Sequence, residues 1–314
     1  MGIDGALIVD KPSGPTSHDV VAVARRALKI RQIGHTGTLD PLATGVLVLL
    51  VGRATRLSQF IVHDRKEYVA EIRLGVATAT YDAEALHDNS QLPTPNSQID
   101  QSGQPRTNRI GNWELGIGSL DEVLDDFRGT FLQSPPPFSA KKVDGRRAYE
   151  QARRARPVEM QPVRVTVHEL ERLQSPDPRL IRLRMVVSAG FYVRSLAHVL
   201  GQRLGCGAHL ETLRRTRSGP FSIDDSITLD TLVSGAPTLV PMNGLLQHIP
   251  AVTLSDEGLR RASRGNVISP GHITNSAVEK TEDGRIRLLS PDGELVAIGV
   301  RDARAFLHPQ VVLV

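Results

Sequence analysis

Residues 34–51 of the chain read GHTGTLDPLATGVLVLLV. The first twelve hold three glycines, three threonines and a single carboxylate, Asp40, and the last six are an unbroken apolar run. A run of that length, bounded by glycine, indicates a buried strand that supports the loop before it. Pro41 has a fixed φ and disfavours helical angles at the residue before it. The loop therefore presents Asp40 at a set angle on a rigid support.

The loop around Asp40 has two interpretations that its residues alone leave open. An Asp-Pro pair flanked by glycine and threonine is typical of an ordinary turn. A carboxylate displayed beside hydroxyl groups and the imidazole of His35 also suits nucleophilic or electrostatic catalysis at an electron-poor carbon. A nucleotide-binding loop is excluded, because the stretch lacks GxxxxGK[S/T] and no GxGxxG opens a helix there.

The composition is that of an ordinary globular protein. The chain has 314 residues, of which 40% are hydrophobic, and this length fits one large domain plus a small one. The longest apolar run is far below the ~18 residues of a membrane span, and the N-terminus resembles no signal peptide. A single cysteine, Cys206, excludes an internal disulfide and a cysteine-based zinc cluster. We expect a cytoplasmic protein that holds no metal.

Positive charge is concentrated in one segment. The formal net charge of the chain is only +4, whereas residues 141–156 hold seven basic residues against Asp144 and Glu150. The basic residues are Lys141, Lys142, Arg146, Arg147, Arg153, Arg154 and Arg156. Such a cluster is typical either of a solvated helix face or of a surface that binds a nucleic-acid backbone.

Hydrophobic periodicity predicts alternating strands and helices. Strands are predicted at 6–10, 46–51, 68–74, 163–167 and 181–187, and helices at 18–30, 53–62, 120–127 and 192–204. Residues 210–217 form a basic segment, and the polar residues 87–111 predict a disordered or mobile insertion. Residues 286–289 and 295–300 predict a hairpin in a small β-rich unit that begins near residue 249.

Six motifs, in order, resemble those of the TruB-type tRNA pseudouridine synthases. They are KPSGPTSHDVV at 11–21, the Asp40 loop at 34–45, KEY at 66–68, QSPPPFSAKK with its continuation to 153, GFYVRS at 190–195, and GCGAH through LRR at 205–215. The chain departs from the family pattern at Phe191, where many members carry threonine, and at Ala85, where a glycine often closes TxTxDxxG. Its 87–111 insertion is also longer than usual.

The resemblance implies an α+β fold in two domains. Residues 1–248 would form the pseudouridine synthase catalytic domain, a mixed, largely antiparallel sheet flanked by helices and loops. A thumb loop at about 133–160 would grip RNA. Residues 249–314 would form a PUA-like RNA-binding domain.

The resemblance also implies a reaction and roles for named residues. The T-loop uridine of tRNA (position 55) would lose its C1′–N1 bond, rotate and rejoin through C5. Asp40 aligns with the family nucleophile, Tyr68 with the tyrosine that stacks on the flipped base, and Arg194 with the arginine that pairs with the carboxylate. Without the resemblance, Tyr68 is typical of a core strand residue and Arg194 of a surface residue.

Further positions align with substrate contacts. His35 would fill the space that the flipped nucleotide leaves, and Tyr192 and Leu213 would line the pocket. The thumb residues Lys141, Lys142, Arg146, Arg147, Arg153 and Arg154 would bind phosphates. The reaction is a redox-neutral isomerisation, so no cofactor is expected.

We therefore expect a monomer that binds the T-arm and acceptor end of tRNA without a guide RNA. A non-catalytic tRNA-binding chaperone on the same scaffold is the alternative. Intact Asp40, Tyr68 and Arg194 favour catalysis, because binding alone needs none of them. Relatives that work with guide-RNA particles are a lesser alternative, which the thumb segment disfavours.

Overall fold

The computed structural model describes residues 3–62, 65–84, 117–138, 142–143, 146–147, 161–175, 177–235, 237–275 and 284–314. The strands are β1 (Gly5–Lys11), β2 (Ile33–Thr36), β3 (Thr44–Val51), β4 (Lys66–Leu74), β5 (Gly129–Gln133), β6 (Lys142–Val143), β7 (Arg146–Arg147), β8 (Val163–Leu173), β9 (Leu180–Val187), β10 (Ala208–Ser218), β11 (Phe221–Ser222), β12 (Ala251–Leu254), β13 (Ile273–Asn275), β14 (Arg285–Leu289), β15 (Leu295–Arg301) and β16 (Leu307–Val312). The α-helices are α1 (Ser17–Leu28), α2 (Ser58–Ile61), α3 (Ile117–Asp125), α4 (Val193–Arg203), α5 (Leu229–Ser234) and α6 (Asp256–Ser263).

A nine-stranded sheet forms the larger part of the molecule. Its order is β1-β3-β10-β4-β9-β8-β5, with β2 added to β3 and β11 to β10. Its pairs are antiparallel except β3 with β10, which run parallel where Thr44 lies opposite Arg214. The α+β fold with a mixed, largely antiparallel sheet is therefore confirmed.

The unbroken apolar run in β3 is explained by burial of both faces of the strand. Successive side chains of a strand point to opposite faces. Leu47 and Leu49 pack into the core beneath α1 and α4, whereas Val48 and Leu50 pack into a second cluster on the other side. A strand covered on both sides needs no polar alternation, so β3 gives the Asp40 loop a rigid base.

A separate five-stranded sheet, in the order β13-β12-β14-β15-β16, forms the C-terminal part. The predicted hairpin is confirmed, since β14 and β15 pair antiparallel with Leu288 opposite Ala297. This sheet also contacts the first one, because Ile298 and Leu313 pack in the same apolar cluster as Val48. The second sheet begins at Ala251, close to the predicted domain boundary at 248, which itself stays a prediction.

The structure adds one strand that the sequence did not predict and corrects one predicted helix. The basic segment 210–217 is part of the central strand β10, because its arginines pair internally: Arg214 binds Asp10, and Arg215 is buried against main-chain carbonyls. The helix predicted at 53–62 is a 3₁₀ segment, Gly52–Leu57, followed by the single turn of α2.

The other predicted elements are present, with ends shifted by a few residues. The 87–111 insertion and most of the thumb segment lie outside the described residues. Among the helices that the structure describes, none is long and apolar enough to cross a membrane.

Candidate active site

The Asp40 loop is tied at both ends by one buried arginine. Arg215, on β10, donates from Nε to the Val46 carbonyl at 2.7 Å and from Nη2 to the Gly37 carbonyl at 2.8 Å. Gly45 has a φ of +100°, and a Cβ there would lie 2.1 Å from the Arg215 carbonyl oxygen. Only glycine accepts both the backbone angle and that approach. The loop therefore enters β3 in one conformation.

Side chains from β1 and α1 hold the backbone on either side of Asp40. Ser17 donates from Oγ to the Leu39 carbonyl at 3.0 Å and accepts from the Leu39 N–H at 2.9 Å. Lys11 donates from Nζ to the Pro41 carbonyl at 3.1 Å. Burial lowers the pKa of Lys11 to about 8, although the nearby Asp40 opposes this shift.

Arg194, at the start of α4, binds the Asp40 carboxylate through two nitrogens. Its Nε lies 2.9 Å from Oδ2 of Asp40, and its Nη2 lies 3.0 Å from Oδ1. This is the bidentate geometry in which two parallel hydrogen bonds from arginine fix the plane of a carboxylate. The Arg194 side chain is only 8% exposed, against 34% for Asp40, so the carboxylate faces solvent and the cation does not.

The rest of the Arg194 guanidinium is held by a turn and a loop. Nη1 contacts the Thr80 carbonyl at 3.2 Å and Oδ2 of Asp82 at 3.3 Å, and Nη2 also donates to the Phe138 carbonyl at 2.9 Å. The Asp82 side chain is buried, and burial raises its pKa, although Arg194 acts in the opposite direction. Arg194 therefore lies between two carboxylates, one buried and one open.

The turn that carries Asp82 is joined to the Asp40 loop. Thr80 donates from Oγ1 to Oδ1 of Asp82 at 2.6 Å, and Glu84 accepts from the Leu42 N–H at 2.9 Å. Burial, followed by the charge of Asp82, raises the pKa of Glu84. Because Leu42 is two residues beyond Asp40, the loop, the turn and α4 form one connected unit.

Tyr68 and Leu213 lie on the face of the sheet that builds this core. Tyr68, on β4, is opposite Arg215 of β10, and Leu213 is opposite Ala70 two positions away. Residues directly opposite on paired strands point to the same face, so Tyr68, Leu213 and Arg215 share one surface. Both Tyr68 and Leu213 are buried within the same apolar cluster.

Tyr192 and His35 lie at the edges of this region. Tyr192 is the N-cap of α4, and its main-chain N–H and carbonyl both pair with the side-chain amide of Gln133, at 2.8 and 3.0 Å. His35 lies in β2, where burial and then the charge of Arg215 lower its pKa. Its Nδ1 is buried, and within the described part of the chain it has no hydrogen-bond partner.

The thumb residues are only partly covered by the structure. Lys142 of β6 pairs with Arg147 of β7, next to Arg146, which places three of the predicted phosphate contacts on one short hairpin. Lys141, Arg153 and Arg154 lie outside the described residues. Over the described ranges, no three His, Cys, Asp or Glu side chains are grouped as metal ligands would be.

Sequence reasoning assigned no role to Asp82, Glu84, Lys11 or Arg215. Asp82 belongs to the TxTxDxxG pattern, which we noted only for its departure at Ala85, and Lys11 opens the first motif. Membership in these two patterns was the signal by which Asp82 and Lys11 could have been found. Nothing in β10 distinguishes the buried Arg215 from its exposed neighbours in the sequence.

Comparison with known proteins identifies the family to which the chain belongs. The family model described as "TruB family pseudouridylate synthase (N terminal domain)" matches residues 25–193, and that of the "tRNA pseudouridylate synthase B C-terminal domain" matches residues 194–237. A curated relative from Solibacter usitatus, named tRNA pseudouridine synthase B, is 40% identical over 99% of this chain and 100% of its own length. One from Symbiobacterium thermophilum, of the same name, is 43% identical over 84% of this chain and 82% of its own.

Solved structures show that the fold is shared as well. A chain from the "Crystal Structure of a Cbf5-Nop10-Gar1 Complex" superimposes with a TM-score of 0.70 at 28% identity, covering 99% of this chain and 85% of that one. The family models and the curated relatives define the class of this protein, which is that of the pseudouridine synthases. The chain belongs to the TruB family of pseudouridylate synthases.

Proposed function

We propose that this protein converts the T-loop uridine of tRNA (position 55) into pseudouridine, with Asp40 as the nucleophilic carboxylate. The bidentate Asp40–Arg194 pair carries the proposal, because it presents an oriented carboxylate that is open on one side. The curated relatives share the name tRNA pseudouridine synthase B over nearly the whole chain, which supports tRNA as the substrate.

The reaction needs a carboxylate close to C1′ of the ribose. When the C1′–N1 bond breaks, positive charge develops at C1′, as it does in glycoside hydrolysis, and Asp40 offsets it. After the base rotates, a C1′–C5 bond forms, C5 loses its proton and N1 gains one. Atoms and electrons therefore balance within the nucleotide, and the reaction consumes no oxidant or reductant.

The uridine reaches Asp40 only after it leaves its stack, at a cost of a few kcal/mol. Tyr68 stacks on the flipped base, Tyr192 and Leu213 line the pocket, and His35 fills the space left in the RNA. The positions of Tyr68 and Leu213 on one face of the sheet support this assignment. The buried Nδ1 of His35 has no hydrogen-bond partner among the residues that the structure describes, which supports a contact with a polar group of the substrate.

The protein acts on tRNA alone, as a monomer without a guide RNA. The solved neighbours occur in complexes, one of them titled "Structure of H/ACA RNP bound to a substrate RNA containing 2'-deoxyuridine", and they are 26–28% identical to this chain. The relatives at 40% identity support the tRNA assignment instead. The thumb segment and the C-terminal unit, which we regard as PUA-like, grip the T-arm and the acceptor end.

Tritium release tests this function. Purified protein is mixed with a tRNA transcript labelled at C5 of uridine, without guide RNA. We expect about one equivalent of tritium to enter water, and none when the T-loop uridine is replaced by cytidine. Tight tRNA binding without release would instead favour a tRNA-binding chaperone.

A further inference from the structure

The turn that supports Arg194 contains a residue with an unfavourable backbone conformation. Thr80 and Asp82 both contact Arg194 Nη1, and Tyr81 lies between them with a φ of +67°. A residue with a Cβ is sterically strained in this left-handed region. The turn therefore keeps a bulky residue where glycine would cost least.

Positive φ at Lys29 has an ordinary explanation that does not apply to Tyr81. Among the described non-glycine residues, it occurs only at Lys29, Tyr81 and Ala305. Lys29 is the C-cap of α1, a position that often takes this conformation. The backbone of Tyr81 is tied to Thr78, at 3.2 Å, and to Leu210 of β10, at 2.9 Å. Glycine would keep both hydrogen bonds, so the backbone alone does not account for an aromatic side chain.

The ring of Tyr81 stacks on His198 of α4. The two ring centroids are 3.7 Å apart and the planes differ by 10°. Burial raises the pKa of Tyr81 and lowers that of His198, which keeps both rings neutral near pH 7. The contact between the two rings therefore holds the side chain of Tyr81 against α4 despite its unfavourable backbone angle.

His198 and Arg194 lie on the same side of α4, because residues four apart on a helix are neighbours. The helix thus contacts the turn through two side chains. Arg194 binds Thr80 and Asp82, the residues before and after Tyr81, and His198 stacks on the Tyr81 ring. Tyr81 occupies a variable position of the TxTxDxxG pattern, and His198 belongs to none of the six motifs.

We propose that Tyr81 and His198 form a positioning pair: their stack fixes the Thr80 carbonyl and the Asp82 carboxylate, and through them the orientation of Arg194 on Asp40. The proposal rests on the function proposed above. Tyr81 and His198 act through Arg194 and are not catalytic residues. Loss of the stack lets the turn shift, and a displacement of about 1 Å is enough to cost up to about 100-fold in rate.

The test compares single-turnover tritium release at saturating tRNA in variants that break or keep the stack. We expect Tyr81→Gly and His198→Ala each to lower the rate constant about tenfold while tRNA affinity changes little. The double variant should be no slower than the slower single one, because each change removes the same contact. Tyr81→Phe and His198→Phe keep stacked rings and should restore most of the rate.

Two controls separate positioning from stability. Tyr81→Gly removes both the ring and the backbone strain, so it should melt no lower than Tyr81→Ala yet be equally slow. Val199→Ala shortens a half-buried neighbour about 100° around the helix and should keep the wild-type rate.

Wild-type rates in Tyr81→Gly and His198→Ala would overturn the inference. Rates in Tyr81→Phe and His198→Phe as low as that of His198→Ala would overturn it as well. If the unmodified protein itself releases no tritium, the proposed function fails instead, so the two failures are distinguishable.

Discussion

Arg194 holds Asp40 by the Nε and Nη2 edge of its guanidinium, at 2.9 and 3.0 Å, while its own side chain is only 8% exposed. The cation is hidden beneath the carboxylate, so a substrate can approach Asp40 without contacting Arg194. Two further partners, Asp82 and the Phe138 carbonyl, prevent the guanidinium from turning away. The pair therefore fixes the orientation of the carboxylate.

Arg194→Lys should abolish most turnover although it keeps the charge. A lysine has one nitrogen and cannot span Asp40, Asp82 and the carbonyl groups together. We expect a fall of about 10²–10³-fold in the single-turnover rate constant, comparable to loss of a key electrostatic contact. Arg184→Lys is the matched control, because Arg184 bridges Glu67 and Glu169 at a partly exposed position on β9, away from Asp40. Near-wild-type turnover in Arg194→Lys would show that the bidentate contact with Asp40 is not needed for the reaction.

The buried Lys11 should make the free energy of unfolding rise with pH in the alkaline range. Its pKa is about 8 in the folded protein and 10.5 as the ordinary value, so between these values the unfolded chain binds more protons. Stability rises with pH under that condition. The cost of burying the charged ammonium is fully present below about pH 8 and is relieved toward pH 10.5.

Urea unfolding of wild type and Lys11→Met measures this effect. The difference in unfolding free energy, wild type minus variant, should grow between about pH 7 and about pH 10, since other groups titrate alike in both proteins. A constant difference would show that Lys11 keeps its ordinary pKa.

Gly45 and Gly14 offer a matched pair for the loop geometry. Both have positive φ, +100° and +106°, but a Cβ at Gly45 would meet the Arg215 carbonyl at 2.1 Å, whereas one at Gly14 meets nothing within 4 Å. Gly14→Ala should therefore cost only strain of about 1–2 kcal/mol. Gly45→Ala should cost clearly more and lower activity, because β3 must move from β10. Equal unfolding free energies for the two variants would refute the close approach.

The sequence resemblance predicts that Arg153, Arg154 and Arg156 bind phosphates. Replacing the three by glutamine should weaken tRNA binding and flatten its dependence on salt, because fewer counterions are released. The control is the triple change of Arg128, Arg172 and Arg203, which already pair with Asp125, Asp121 and Asp126. An unchanged salt slope in the thumb variant would show that these arginines face solvent.

The sequence was sufficient wherever one local signal decided the structure. The apolar run of β3 predicted a buried strand, and Thr16 with Asp19 forms the capping box that starts α1 where a helix was expected. The hairpin of β14 and β15 was predicted from the apolar runs at 286–289 and 295–300, which flank the turn residues Ser290-Pro291-Asp292-Gly293. In each case the deciding residues are neighbours along the chain.

The parts that the sequence did not reveal depend on distant partners. β10 was not recognised as a strand because Arg214 and Arg215 look solvated until Asp10 and the Val46 carbonyl are placed beside them. Asp82 received no role because its partner, Arg194, is more than 100 residues away. The resemblance named Asp40, Tyr68 and Arg194, but their roles stay predictions until variants are measured.

The most direct test of the central claim is single-turnover tritium release by Asp40→Asn, with tRNA affinity measured in parallel. The change keeps the shape of the side chain and removes its charge. We predict no detectable release, with affinity within about tenfold, or ~1.4 kcal/mol, of wild type. Asp125→Asn, at an exposed position on α3, should behave as wild type. Tritium release by Asp40→Asn at a rate near that of wild type would contradict the assignment of Asp40 as the nucleophile.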